Sequence, residues 1–202
     1  MSDQKKRFSR VSTHRPRLIV RAAVALTATL LICLFGHSAF AVQPDEYTLK
    51  VAYLYNFTRY ITWPEDAWPA GQQDFVIGVI GDNPFGSTLD QLATKKQAQR
   101  RRIVIRYFDT LADYEPCHML FVAASTSPEV RAAVIRQTRN QPVLVIGESA
   151  GYAEAGSPVN FVLLPNGTIN IEINIDAMNR RRMQTNALLL KLASVVRDKG
   201  AE

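Results

Sequence analysis

Two hydrophobic periods divide the chain. From Tyr47 onward Leu49, Ala52, Tyr53, Phe57, Tyr60 and Ile61 recur at helical spacing, and Pro64 stops the pattern near Trp63. Val51, Leu54 and Tyr55 fall on the other side of this predicted helix. It is therefore apolar around most of its circumference, as suits a helix clamped between a sheet and a further surface such as a partner. Residues 75–80 form an unbroken apolar run, which predicts a buried strand, closed by the turn formers Gly81, Asp82, Asn83 and Pro84. A helix with Leu89 and Leu92 inward follows, with Lys95, Lys96, Arg100, Arg101 and Arg102 around its end. Further strands are predicted at 103–107, 118–123 and 143–146. Between the last two, Ser127, Pro128 and Glu129 open a helix in the order cap, proline, acid, running to about Arg139. Strands that alternate with helices predict a mainly parallel sheet flanked by helices.

The last third changes period. Residues 159–164 and 168–175 flank Pro165, Asn166 and Gly167, and Asn-Gly is a strong hairpin signal. Ile169, Ile171, Ile173 and Ile175 alternate with Asn170, Glu172 and Asn174, which predicts one apolar and one polar face. Asp176 is expected to cap a long final helix to about Arg197, with Leu188, Leu192 and Val195 as its inner stripe and Arg180, Arg181 and Arg182 on a solvated face. The expected fold is a single α/β domain over residues 42–202: a mainly parallel sheet flanked by helices, a C-terminal antiparallel hairpin and a long final helix.

The first 41 residues have a different character. Lys5, Lys6, Arg7, Arg10, Arg15, Arg17 and Arg21 precede an apolar run over 22–35, and Ala39, Phe40 and Ala41 follow. Basic, then apolar, then small is the order of a signal peptide, and the run is shorter than the roughly 20 residues of a membrane-crossing helix. Residues 1–41 are therefore expected to be a signal peptide cleaved near Ala41, which places the rest in the periplasm. The leader takes seven of the 24 basic and one of the 18 acidic residues, leaving 17 of each. The basic pI of about 9.5 thus belongs to the leader, and the balanced remainder lacks the electrostatic footprint of a nucleic-acid binder. Of the two cysteines Cys33 leaves with the leader, so Cys117 has no partner for an internal disulfide. It is expected to be buried, ahead of an apolar strand.

Motifs for catalysis fail on their context. Gly147, Glu148, Ser149, Ala150 and Gly151 match a nucleophile elbow and follow a predicted strand, but no histidine follows His118 to deprotonate the serine. Gly81 to Thr88 has the glycine spacing of a phosphate loop, with Ser87 where the lysine belongs. A tight turn whose Ser87 or Thr88 caps the next helix is the simpler reading, with room for an anion at the helix start. Cys117 and His118 are adjacent in a strand and point to opposite faces, so they make no metal pair, and no metal or cofactor is expected. His118 reads as a core or sheet-edge histidine. Glu172 and Asp176 make a weak carboxylate pair. The aromatic set Tyr53, Tyr55, Phe57, Tyr60, Trp63 and Trp68 favours binding, since aromatics anchor interfaces.

The string from Lys50 to Pro64, KVAYLYNFTRYITWP, resembles the opening motif of the YfiR-like family. The likeness continues through IGVIGDNPFG at 77–86, CHMLF at 117–121, NFV at 160–162 and IEINID at 171–176. The resemblance implies a periplasmic α/β repressor, homodimeric and without catalysis. It would hold down an inner-membrane diguanylate cyclase by binding the cyclase's periplasmic portion, thereby lowering cyclic di-GMP and biofilm formation. It also implies redox regulation through disulfides, from which this chain departs, leaving at most an intermolecular bond at Cys117. Asn160, Phe161, Glu172, Asn174 and Asp176, where the motifs match, are the expected partner-binding residues. Tyr55, Asn56, Trp63, Asp82 and Ser87 are candidates for a ligand or interface. The alternative is a small-ligand-binding module serving a sensor kinase or transporter.

Overall fold

The computed structural model describes residues 45–68, 71 and 73–200. The expected leader and its cleavage point lie outside these residues. Helix α1 (Glu46–Tyr60) comes first. Strand β1 (Ile61–Thr62), a 3-10 turn (Glu65–Ala67) and strand β2 (Asp74–Ile80) follow. Helix α2 (Thr88–Lys95) leads to the hairpin of β3 (Gln97–Ala98) and β4 (Arg101–Phe108). Strand β5 (Met119–Val122), helix α3 (Pro128–Thr138) and strand β6 (Leu144–Gly147) complete the regular alternation. The remainder is β7 (Val159–Leu163), β8 (Ile169–Asn174), α4 (Ile175–Arg180), β9 (Gln184–Thr185), α5 (Ala187–Leu192) and β10 (Ser194–Val196).

Eight strands form one sheet in the order β10-β8-β7-β6-β5-β2-β4-β3, and β1 and β9 pair separately. Pairing is parallel from β4 through β2, β5 and β6 to β7, and antiparallel in the β7–β8 and β3–β4 hairpins. The fold class is thus the expected α/β one. Strands β2, β5 and β6 are apolar without a break because both faces are covered. On one face Phe75, Ile77, Met119, Phe121, Leu144 and Ile146 pack with Val51, Leu54 and Phe57 of α1 and Leu89 of α2. On the other, Val76, Leu120, Val122 and Val145 pack with Val134 and Ile135 of α3. At full burial each such side chain contributes about 1.5–3 kcal/mol.

The long final helix is not formed. Asn174, not Asp176, occupies the helix N-cap, its Oδ1 accepting from the Ala177 N–H at 2.9 Å. The helix stops at Arg180, and Arg182 has a φ of 55°, a left-handed conformation that no continuing helix accommodates. The chain then pairs Thr185 with Ile61, makes α5 and returns as β10, parallel to β8. The stripe expected to face inward faces out: Leu188, Leu192 and Val195 are 51, 70 and 54% exposed. Leu189 is the buried residue of α5. The arginines are displaced too, because only Arg182 is solvated, paired with Asp66 on the surface. Arg180 is half-buried on Asp198, and Arg181 is 1% exposed, donating to the Ala177 carbonyl and to Thr138 Oγ1.

Candidate functional site

The carboxyl ends of the parallel strands are where an α/β sheet offers a crevice, at the point where strand order reverses. Here that point lies between β2 and β5. Gly81 leaves β2 at φ 90°, and a Cβ there would lie 2.8 Å from Thr126. The Asp82 N–H donates to Ser125 Oγ at 3.0 Å. A recess of about 250 Å³ is bounded by Gly81, Asp82, Asp109, Ser125 and Thr126. Ser87 makes no side-chain cap to α2, and its Oγ accepts from Gln91 instead. The turn is tied internally by Asn83, whose Oδ1 accepts from the Phe85 N–H. It is a tight turn, and among the described residues no lysine lines the recesses beside it as a phosphate loop would require.

One strand further along, the nucleophile-elbow string is a buried ion-pair site. Glu148 turns inward, accepts from the Ala124 N–H at 2.8 Å, and pairs with Lys50 of α1 at 2.6 Å. Both side chains are almost wholly buried, and Lys50 also pairs with Glu46 and lies 4.5 Å over the Tyr47 ring. Burial works against the Lys50 charge, but Glu148 and Glu46 outweigh it and hold its pKa above the ordinary lysine value. Ser149 contributes its carbonyl to Asn160 Nδ2, and Gly147 is required because a Cβ would meet the Tyr152 ring at 2.0 Å. No helix follows to aim a nucleophile. Sequence patterning offers Glu148 only as part of the elbow string and Lys50 only as the head of the string to Pro64, with nothing that pairs them. A lone lysine one turn into an apolar helix is the available signal.

The five expected partner-binding residues sit together on β7, β8 and α4, but most are inside. Asn160, Phe161 and Asn174 are buried, and Glu172 and Asp176 are half-buried. Phe161 stacks on Phe57 with ring centroids 5.9 Å apart. Asn160 donates to Glu172 at 3.0 Å, and its buried Oδ1 has no partner among the described residues. Asn174 Nδ2 bonds the Ala153 carbonyl and Asp198. Asp176 ties down the chain end through Arg197 and the Asp198 N–H. Burial opposes ionisation of Asp198, but hydrogen bonds from Arg180 and Asn174 outweigh it and lower its pKa. Beyond them lie α5 and β10, the latter beside β8 at the edge of the described sheet, and on these Leu188, Leu192 and Val195 are exposed. Exposed apolar side chains that gather into a patch mark interaction sites.

The other candidates divide. Trp63 is buried, its Nε1 donating to the His118 carbonyl at 3.0 Å. Tyr55 and Asn56 are half-exposed on α1, and Asp82 and Ser87 are exposed at the turn. His118 is a core residue as expected, stacked between Trp68 and Phe75 and accepting from the Val76 N–H at Nδ1. Burial, chiefly, pulls its pKa down to about 4, so it is neutral near pH 7. Cys117 is buried and free, and burial pushes its thiol up to about 12, which makes it a poor nucleophile at neutral pH. It borders a recess of about 300 Å³ with Tyr114, His118 and Gln141. Among the described residues no group of three metal-ligating side chains occurs, and no helix is long and apolar enough to cross a membrane.

No curated protein matches the chain. Among solved structures, a conserved domain protein from Vibrio cholerae shares 14% identity at a TM-score of 0.49, over 75% of this chain and 60% of that one. The chain therefore spans about 60% of that relative's length. A structure titled as the NAD+-dependent 5-dehydrogenase of a pyridine carboxylic acid shares 11% identity at a TM-score of 0.32, over 62% of this chain and 58% of its own. Neither likeness is close enough to argue from. The family comparison is specific: the model of the YfiR/HmsC-like domains (DUF4154) matches residues 47–194, from the start of α1 to the start of β10. The chain belongs to the YfiR/HmsC-like family.

Proposed function

We propose that this protein is a periplasmic regulatory binding protein that represses a membrane-bound diguanylate cyclase by binding its periplasmic portion. Lower cyclic di-GMP and less biofilm follow. The family supports a regulator of this kind. The observation that carries the binding role is the exposed Leu188, Leu192 and Val195 strip beside the open edge of β10. An open strand edge with apolar side chains is a surface that another chain can cover. Ser149 of the elbow string has no histidine after it in the sequence to deprotonate it, and His118 is held in the core. A homodimer is an extension of this reading, whereas an intermolecular Cys117 bond is disfavoured by the burial of that thiol.

Cellular cyclic di-GMP in the parent strain, a deletion strain and a complemented deletion tests the proposal. Deletion should raise cyclic di-GMP, and the wild-type gene should lower it again. Unchanged levels under several growth conditions would remove the cyclase from the reading. The second reading, a small-ligand module, is favoured by the recess at the reversal of strand order beside Asp82 and Ser125. A ligand there could shift which surface is shown to the partner. Thermal shifts of the wild type and Asp82→Ala against a metabolite panel address it, with a shift abolished by the substitution as the positive result.

A further inference from the structure

Residues 91–108 carry six cations, Lys95, Lys96, Arg100, Arg101, Arg102 and Arg106, and no acid. Two are neutralised by ion pairs, Arg102 with Asp74 at 2.9 Å and Arg106 with Glu115. Arg101 lies 4.3 Å over the Trp68 ring. Lys95, Lys96 and Arg100 remain exposed on the β3 edge of the sheet.

The turn that carries Arg100 is strained. Gln99 and Arg100 join β3 to β4 as a two-residue loop, with φ of 50° and 64°. Two consecutive left-handed residues define the turn that Asn-Gly fills most easily, and a Cβ at each position costs free energy. Gln99 is held in place: its Nε2 donates to the Thr58 and Ile61 carbonyls at 3.4 Å each, tethering the turn to the end of α1. Arg100, at the tip, is exposed. The tether also brings in the last turn of α1 with Arg59, which lies 5.8 Å from the Tyr60 ring, while Lys96 lies 6.0 Å from the ring of Tyr55. Tyr55, Tyr60 and Trp68 are each half-exposed. The edge is therefore a row of cations interleaved with partly exposed aromatic rings.

We propose that this β3 edge is a membrane-facing surface that seats on anionic phospholipid headgroups. Cations set among tyrosine and tryptophan match the bilayer interface, where the rings enter the headgroup layer and the cations meet phosphate. An acidic protein segment fits less well, because β3 is only two residues long and offers little edge for strand addition. With 17 basic and 17 acidic residues beyond the leader, the attraction is local to this edge and orients the domain. The proposal takes the nearness of a bilayer from the regulatory reading and its chemistry from the edge itself.

Sedimentation of the processed protein, purified after export of the full chain, with phosphatidylcholine vesicles and with vesicles also containing phosphatidylglycerol tests it. Binding should require phosphatidylglycerol, weaken with salt, and fall roughly tenfold or more in Lys95→Glu/Lys96→Glu/Arg100→Glu. Arg136→Glu, on α3 across the sheet, should bind like the wild type. Arg100→Gly should raise the thermal midpoint while weakening binding, which separates lipid contact from misfolding. Equal binding to neutral vesicles, no binding to either, or full retention by the triple variant would overturn the proposal. Cyclic di-GMP is not read here, so failure of this surface and failure of the regulatory reading remain distinguishable.

Discussion

Strands β2, β5 and β6 and the segment 174–196 place their apolar residues in opposite ways. The strands bury every residue from Phe75 to Ile80 and from Met119 to Val122 between α1 on one face and α3 on the other. The C-terminal segment buries Arg181, Asn174 and Met178 and leaves Leu188, Leu192 and Val195 in solvent. A core strand is placed by its neighbours on both faces. The C-terminal segment is placed by a few apolar anchors, Met178, Met183 and Leu189, together with polar contacts: Asn174 on Ala177, Arg180 on Asp198 just beyond the segment, Arg181 on Thr138. Polar bracing of an exposed apolar strip is what a docking surface requires, since the strip must hold its shape before a partner arrives.

Substitutions can sharpen that contrast. Phe121→Ala, at the centre of the parallel sheet, should cost about 3–5 kcal/mol in urea unfolding; a cost near 1 would mean that the core is looser than its burial implies. The next effect is a pH dependence. His118 has its folded pKa lowered from 6.5 to about 4, so the unfolded chain takes up a proton first, and stability is complete above pH 6.5. It should be lost as pH falls toward 4, by about 3 kcal/mol. His118→Gln should flatten that slope, and an unchanged slope would relocate its source. Arg181→Met should be neutral or stabilising by about 1 kcal/mol, because an apolar side chain of similar size ends the cost of a buried charge whose Nε has no partner among the described residues. A marked loss would show that the arginine's two hydrogen bonds outweigh its desolvation. Leu192→Glu should change thermal stability least, by under about 0.5 kcal/mol, since its side chain is already in water.

The same contrast explains what was legible. Periodicity located α1, α3, the parallel strands and the β7–β8 hairpin because each is dictated by which side faces the core. It misplaced the final segment because Leu188, Leu192 and Val195 keep helical spacing whether they face a core or solvent. The run Arg180 to Arg182 carries no mark of which guanidinium is buried. Asn174 took the cap expected of Asp176 because the strand ends one residue earlier than the alternation suggested. Among the expected contact residues, spacing correctly gathered Asn160, Glu172 and Asn174 on one face. It could not show that a returning strand, β10, lies alongside β8.

The central claim is that the α5–β10 strip is the regulatory face. Its most direct measurement is cyclic di-GMP in a deletion strain complemented with Leu188→Glu/Leu192→Glu at wild-type abundance and thermal midpoint. The account predicts the high level of the deletion strain despite an intact, exported protein. Full restoration of the low wild-type level would contradict it and move the partner surface elsewhere.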